Sequence, residues 1–257
     1  MSRKFTLLLI AATVAIQGCE RPAQPTASGV DAETQTDYDS PQVRKSQRAT
    51  WPPLDEGGAP ASALATTNYY IVVDGSGSML SHKCGGGTSK IDAALEAVKH
   101  FIAEVPADTN VGLAAFDRRA ISERVALGIG NREALYTALK DIRAGSDTPL
   151  RSSIKIGYDK LTAQARTQLG YGEYHLVVVT DGNPDPQSED PTPVVNAILA
   201  QSPVVLHTIG FCIDSDHVLN QPNRTYYASA TNPEELQAGL QAVLAEAATF
   251  DAATFSN

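Results

Sequence analysis

The sequence has little positive charge and no cluster of it. Its 257 residues include 20 Lys and Arg against 29 Asp and Glu, which gives a formal net charge of -9. An acidic chain without a basic patch repels phosphate backbones. We therefore exclude nucleic acid as a partner. The acidity indicates little else, because most acidic surfaces are simply solvated.

Long hydrophobic runs are missing beyond the N-terminal segment. Phe5 to Ile16 is almost wholly apolar, but about 12 residues cannot cross about 30 Å of hydrocarbon as a helix. Arg3 and Lys4 give the run a short positive start, which is typical of an export signal. No later stretch approaches the length of a transmembrane helix.

The export run ends in Ile16-Gln17-Gly18-Cys19, and this ending resembles the lipobox of bacterial lipoproteins. The resemblance implies that residues 1–18 are a signal peptide, and that Cys19 becomes the new N-terminus and carries lipid. Several acyl chains would anchor the protein firmly, whereas one chain binds membranes weakly. The alternative is an ordinary secretory signal that happens to be followed by a cysteine.

Cysteine is scarce, with three in the whole chain. If Cys19 is lipidated, only Cys84 and Cys212 remain. Two remaining cysteines in an exported protein favour one disulfide, and two free thiols are the alternative.

Residues 19–66 show little periodic hydrophobicity and are rich in Pro, Ala, Thr, Ser, Gln and Asp. Such a composition cannot bury enough apolar area to offset the entropy of ordering the chain. We therefore expect a flexible tether that starts at the lipidated cysteine. Within it, Trp51 to Leu54 could dock locally.

The rest of the chain alternates between strand and helix patterns. Continuous apolar, β-rich runs predict strands at 69–73, 111–116, 174–180 and 204–211, with weaker strands at 124–127 and 225–228. Helical spacing of apolar residues predicts five helices, three of them capped by Ser89, Asn131 and Asn232 and two opened by Pro149 and Pro193. The alternation predicts an α/β fold, a doubly wound and mostly parallel sheet with helices on both faces. We assign this domain to residues 67–250, followed by a tail at 251–257.

Oxygen-bearing side chains follow the two strongest strands at the point where each ends. Asp74-Gly75-Ser76-Gly77-Ser78 comes directly after the first strand, and Asp181 comes after the run at 174–180. A loop with Thr148 opens a helix between them. Ligand sites of such folds lie at the carboxyl ends of the strands. We therefore expect these side chains to share one rim of the sheet.

Two carboxylates and three hydroxyls are the donors that a hard cation such as Mg²⁺, Mn²⁺ or Ca²⁺ prefers. Hydroxyls are neutral ligands, so the ion would keep much of its charge and attract an anionic ligand from outside. Alternatively, these residues only cap turns and helix starts, as Asp, Ser and Thr do in many proteins.

At these residues the chain resembles the von Willebrand factor A-type domain, the module shared with integrin inserted domains. The residues that match the five positions of its metal-ion-dependent adhesion site are Asp74, Ser76, Ser78, Thr148 and Asp181. The resemblance covers roughly residues 68–248 and implies bound Mg²⁺, with Mn²⁺ or Ca²⁺ as alternatives. It implies that the three hydroxyls bind the metal directly, and that the two aspartates act through water or as outer acceptors. An Asp or Glu of a partner protein would take the open sixth position.

The chain departs from the family around its cysteines. Ser81 to Thr88 enlarges the loop after the metal motif, and Cys212 follows the strand at 204–211, where a small residue is expected. Both cysteines would then lie near the metal rim, so we predict a Cys84–Cys212 disulfide that holds the enlarged loop. The alternative is a zinc site built from the side chains that zinc prefers: His82, Cys84, Cys212 and His217.

Motifs of common enzyme classes are missing. The sequence has no GxSxG, HExxH or P-loop pattern, and Gly75-x-Gly77-x-x-Leu80 lacks the third glycine of a dinucleotide fingerprint. We therefore predict no enzyme and no small-molecule substrate. The prediction is a cation-dependent protein-binding module, anchored by lipid to the bacterial envelope. Two alternatives stay open: an envelope scaffold in which the cation is only structural, and a hydrolase or redox factor that uses the cysteines.

Overall fold

Residues 51–53, 60–213 and 215–247 are the part of the chain that the computed structural model describes. Its strands are β1 (Thr67–Asp74), β2 (Asn110–Asp117), β3 (Ala120–Gly128), β4 (Glu173–Thr180), β5 (Val205–Phe211) and β6 (Tyr226–Ala230). They form one sheet in the order β3-β2-β1-β4-β5-β6. All neighbours pair in parallel except β2 and β3, which are antiparallel.

Helices cover both faces of this sheet. They are α1 (Lys90–Glu104), α2 (Arg132–Lys140), α3 (Leu150–Thr167), α4 (Thr192–Gln201) and α5 (Pro233–Ala247). Successive side chains of a strand point to opposite faces. Accordingly Ile71 packs with α1, α2 and α5, while Val72 packs with α3 and α4. The predicted doubly wound α/β fold is confirmed.

Two helix starts follow their predicted caps, and one does not. The Ser89 Oγ accepts a hydrogen bond from the Asp92 N–H at 3.3 Å, and Asn232 caps α5 in the same way. Asn131 precedes α2 but does not cap it. Its side-chain amide instead donates to the carbonyls of Val111 and Ala126, at 2.7 and 3.0 Å. That cap prediction is wrong, because these two hydrogen bonds fix the orientation of the amide and its Oδ1 accepts no N–H of the first turn.

The edge strand β3 is longer than the stretch 124–127 that the sequence predicts. It begins at Ala120, whose φ of 69° lies in the left-handed region and closes the turn from β2. An edge strand has a neighbour on one side only, so most of its side chains stay partly exposed. That exposure explains why its hydrophobic signal in the sequence is weak.

The signal peptide predicted at 1–18, Cys19 and the tail at 251–257 lie outside the described residues. Among the described residues, no helix is long and apolar enough to cross a membrane.

Part of the segment expected to be a tether, 19–66, is described and contacts the domain. The Trp51 ring meets Tyr174 edge-on, with 4.9 Å between ring centroids. The Ala61 N–H donates to the Thr167 carbonyl at 2.7 Å. Trp51 therefore docks locally, as the sequence allowed.

Candidate metal site at the carboxyl rim of the sheet

Asp74 is the last residue of β1 and is fully buried. Its Oδ1 accepts a hydrogen bond from the Ser76 N–H at 2.7 Å, and its Oδ2 accepts one from the Thr180 Oγ1 at 2.6 Å. Burial raises the pKa of Asp74 to about 6, although these hydrogen bonds oppose the rise. Both carboxylate oxygens of Asp74 therefore accept hydrogen bonds from the protein. These bonds do not fully offset the loss of hydration that burial imposes on the negative charge.

The Ser76 and Ser78 hydroxyls lie next to each other, with 2.8 Å between their oxygens. The turn that carries them fits tightly against β2, because a Cβ on Gly75 would lie 2.7 Å from the Phe116 carbonyl oxygen. A Cβ on Gly77 would lie 3.9 Å from its nearest neighbour, the Ser146 carbonyl oxygen. Packing thus requires a glycine at 75, whereas position 77 has room for a Cβ.

Thr148 reaches the same place from the loop before α3. Its backbone pairs with that of Asp185 through two hydrogen bonds of 3.0 Å. A Cβ on Gly182 would lie 3.8 Å from the Ser78 Oγ and 3.9 Å from the Thr148 Oγ1, so both hydroxyls face one point. Thr148 is only 6% exposed. Its hydroxyl has no hydrogen-bond partner within the described ranges.

Asp181 follows β4 and completes the predicted set. Its Oδ1 accepts a hydrogen bond from the Ser78 Oγ at 2.6 Å. Its Oδ2 forms a buried ion pair with the Nζ of Lys90, the first residue of α1. The structure therefore brings all five predicted residues to one rim.

Sequence reasoning missed Lys90 as part of this site. A signal was nevertheless present, since a cation in the first turn of a helix opposes the helix dipole. Such a lysine needs a nearby anion when it is buried. The apolar neighbours of Lys90 in α1 could have indicated that burial.

His217 was considered only as a zinc ligand, but it supports the turn after Asp181. Its Nε2 bonds the Gly182 carbonyl at 2.8 Å, while its Nδ1 accepts from the Leu219 N–H at 3.2 Å. These partners place the ring proton on Nε2. Burial lowers the pKa of His217, so the ring is neutral and fixes the loop that holds the aspartate.

A family model of the von Willebrand factor type A domain matches residues 68–242, which is more than half of the chain. The chain belongs to the von Willebrand factor type A family. The predicted resemblance is thereby confirmed. No curated protein sequence matches this A-type chain significantly.

Solved structures share the A-type fold at low identity. The pilus adhesin SpaC of Lactobacillus rhamnosus GG has a TM-score of 0.56 and 18% identity, over 74% of this chain and 31% of its own. The vWF domain of Mfa5, the type V pili tip protein of Porphyromonas gingivalis, gives 0.52 and 9%, over 73% and 97%. Manganese-loaded TRAP protein of Plasmodium vivax gives 0.52 and 20%, over 69% and 72%. The chain thus spans about a third of SpaC, and these likenesses show the fold alone.

The disulfide predicted for this A-type domain is present. Cys84 and Cys212 are bonded, with their Cα atoms 5.9 Å apart, so the enlarged loop is joined to the end of β5. The bond leaves no thiolate for zinc. In the described ranges, no group of three or more His, Cys, Asp or Glu could hold a metal. The zinc alternative is therefore wrong.

The donors of the A-type rim fit a hard cation. The aspartates already accept hydrogen bonds or an ion pair on both oxygens, whereas the hydroxyl of Thr148 has no hydrogen-bond partner among the described residues. Hydroxyl and carboxylate oxygens are the ligands of Mg²⁺, Mn²⁺ and Ca²⁺. The arrangement matches a site with hydroxyls as direct ligands and carboxylates behind them.

Proposed function

We propose that this A-type domain is a protein-binding module that requires a divalent cation, and that the cation binds a carboxylate of the partner. The observation that carries the proposal is the meeting of three hydroxyls from two loops, the turn after β1 and the loop before α3, at the rim that holds two buried carboxylates. Capping of turns would not require the Thr148 and Ser78 hydroxyls to lie around one point beside Gly182, with no hydrogen-bond partner for Thr148 among the residues that the structure describes.

In this proposal Ser76, Ser78 and Thr148 bind the ion directly, while Asp74 and Asp181 orient them or act through water. Mg²⁺ is the proposed ion, with Mn²⁺ or Ca²⁺ as alternatives. When bound, the ion supplies a positive charge that neutral hydroxyls do not cancel. A partner protein that presents Asp or Glu would complete the coordination, and this role is binding rather than catalysis.

We further propose that the domain is held at the bacterial envelope, facing the periplasm or the cell surface. The proposal keeps a signal peptide at 1–18, a lipidated Cys19 with a tether to residue 66, the domain at 67–250 and a tail at 251–257. Two relatives in fold, SpaC and Mfa5, are pilus proteins, which is compatible with an exposed position.

The test measures metal uptake and partner capture on the same variants. Ser76→Ala and Thr148→Ala should each lower Mg²⁺ or Mn²⁺ affinity by at least about tenfold in calorimetry, because each removes a direct ligand. Ser146→Ala is the matched control. It removes a hydroxyl of the same rim, whose one hydrogen bond within the described residues is to the Asp147 carbonyl, so this variant should bind the ion as the wild type does.

Capture from envelope extract should then follow metal uptake, with recovery in Mg²⁺ and loss in EDTA or with Ser76→Ala. Capture that is equally strong in EDTA would refute the proposed function. The scaffold alternative makes a different prediction. Mg²⁺ would raise the melting temperature and leave capture unchanged.

A further inference from the structure

Lys90 places a positive charge next to the proposed metal site. It is the first residue of α1 and is 7% exposed. Its Nζ contacts the Asp181 Oδ2, and the aspartate side chain is fully buried. The backbone of Lys90 is fixed as well, because its N–H donates to the Ser81 carbonyl at 2.8 Å.

This position is unfavourable for a lysine unless its partner is present. Removing an ammonium from water is costly, and the positive end of the helix dipole repels it. Asp181 is the group that offsets both effects. Lys90 in turn stabilises the buried Asp181 carboxylate, because it supplies a counter-charge that does not depend on a bound metal ion.

The ion pair changes the charge that an incoming cation meets. Asp74 and Asp181 together carry two negative charges, and Lys90 cancels one of them. Asp181 is also held on its other oxygen by Ser78. The protein therefore fixes the position of Asp181 without a cation. Lys90 already balances the negative charge of this carboxylate.

We infer that Lys90 is a built-in counter-cation that weakens divalent binding and leaves the bound ion more charge for a partner carboxylate. The inference rests on the proposed function. The site then binds a divalent cation when the cation concentration is high. At low concentration, its side chains keep the same arrangement without the ion. Lys90 acts through Asp181 and is a positioning residue, not a ligand.

The test is calorimetric titration of the full chain with Mn²⁺, comparing wild type with Lys90→Met and Lys90→Arg. Lys90→Met removes the charge at nearly constant length and should bind Mn²⁺ about tenfold tighter or more, because Asp181 regains its full attraction. Lys90→Arg keeps the charge and should bind like the wild type. Without a cation, Lys90→Met should melt at a lower temperature than wild type, and saturating Mn²⁺ should narrow that gap.

A purely structural role for Lys90 predicts weaker metal binding on replacement, never tighter binding. A folded Lys90→Met that binds Mn²⁺ as the wild type does, or more weakly, would overturn the inference and leave the proposed function standing. Absence of uptake by the wild type would refute both. If Lys90→Met does not fold, Lys90→Gln gives the same test, since its amide can still donate to Asp181 without the charge.

Discussion

Two buried histidines should make the domain sensitive to acid. His175 on β4 and His207 on β5 lie side by side, with 3.1 Å between the Nδ1 of the first and the Nε2 of the second. The rings of Tyr69 and Tyr226 stack on the outer sides of the pair, with 4.8 and 5.1 Å between centroids. The Glu173 carboxylate lies 3.7 Å from the His175 Nε2.

Burial lowers the pKa of His207 from 6.5 to about 3, and the neighbouring His175 adds to the effect. The pKa of His175 is lowered by burial too, although Glu173 opposes the shift. A histidine with a lowered folded pKa binds fewer protons when folded than when unfolded. Its contribution to stability is therefore complete above pH 6.5 and is lost as the pH falls toward 3. For His207 alone, moving from pH 7 to pH 5 should cost about 2 kcal/mol.

Asp74 works in the opposite direction over the same range. Burial raises its pKa from 3.8 to about 6, so the folded state takes up its proton first. Without a bound cation, protonation of Asp74 between pH 7 and pH 5 should raise the free energy of unfolding by about 1 kcal/mol. The pH profile of the wild type alone would therefore hide part of the histidine effect.

The test compares urea unfolding of wild type and His207→Phe at pH 7 and pH 5. Phenylalanine keeps the stacking on Tyr226 and removes the titrating ring, so the Asp74 contribution cancels in the difference. The loss of unfolding free energy on acidification should be about 2 kcal/mol smaller in the variant. His100→Phe is the control, because His100 is half exposed, and it should keep the wild-type pH dependence. Equal pH dependence of wild type and His207→Phe would refute the reasoning.

Two further predictions concern the packing of the domain. Replacing Cys84 and Cys212 by serine removes a bond that joins positions 128 residues apart. Chain entropy sets the expected loss of unfolding free energy at up to about 5 kcal/mol. A loss below about 1 kcal/mol in urea unfolding would contradict it. Gly157→Ala puts a methyl 2.4 Å from the Leu176 Cδ1, and overpacking of this kind costs about 1–3 kcal/mol. An unchanged or higher melting temperature would contradict that expectation.

The sequence was sufficient for the elements and for the five oxygen-bearing residues of the rim, although not for Lys90. Apolar runs and helical spacing are local patterns, and each of the predicted strands and helices is present. The rim followed from one geometric fact, since residues directly after parallel strands share an edge. Asp74 and Asp181 could be placed together for this reason, although 107 positions separate them in the printed sequence.

Contacts between distant side chains could not be read in the same way. The Asn131 side chain donates to two strand carbonyls and does not cap α2. A cap pattern in the sequence does not show which distant carbonyls will orient the amide. The hydrogen bond between the His175 and His207 rings depends on strand order and register, which place β5 beside β4. Sequence patterns place each of the two histidines in or near a strand, but they do not indicate which ring lies beside it.

The amino-acid sequence by itself therefore determined the A-type fold, the oxygen donors and the two cysteines available for a bond. These depend on periodicity, residue type and order along the chain. Only the tertiary structure decided that Lys90 faces Asp181, 91 residues away, and that the Thr148 hydroxyl has no hydrogen-bond partner in the described part of the chain. Both outcomes depend on how loops from different strands pack against one helix. That packing is set by the whole core and not by any local pattern.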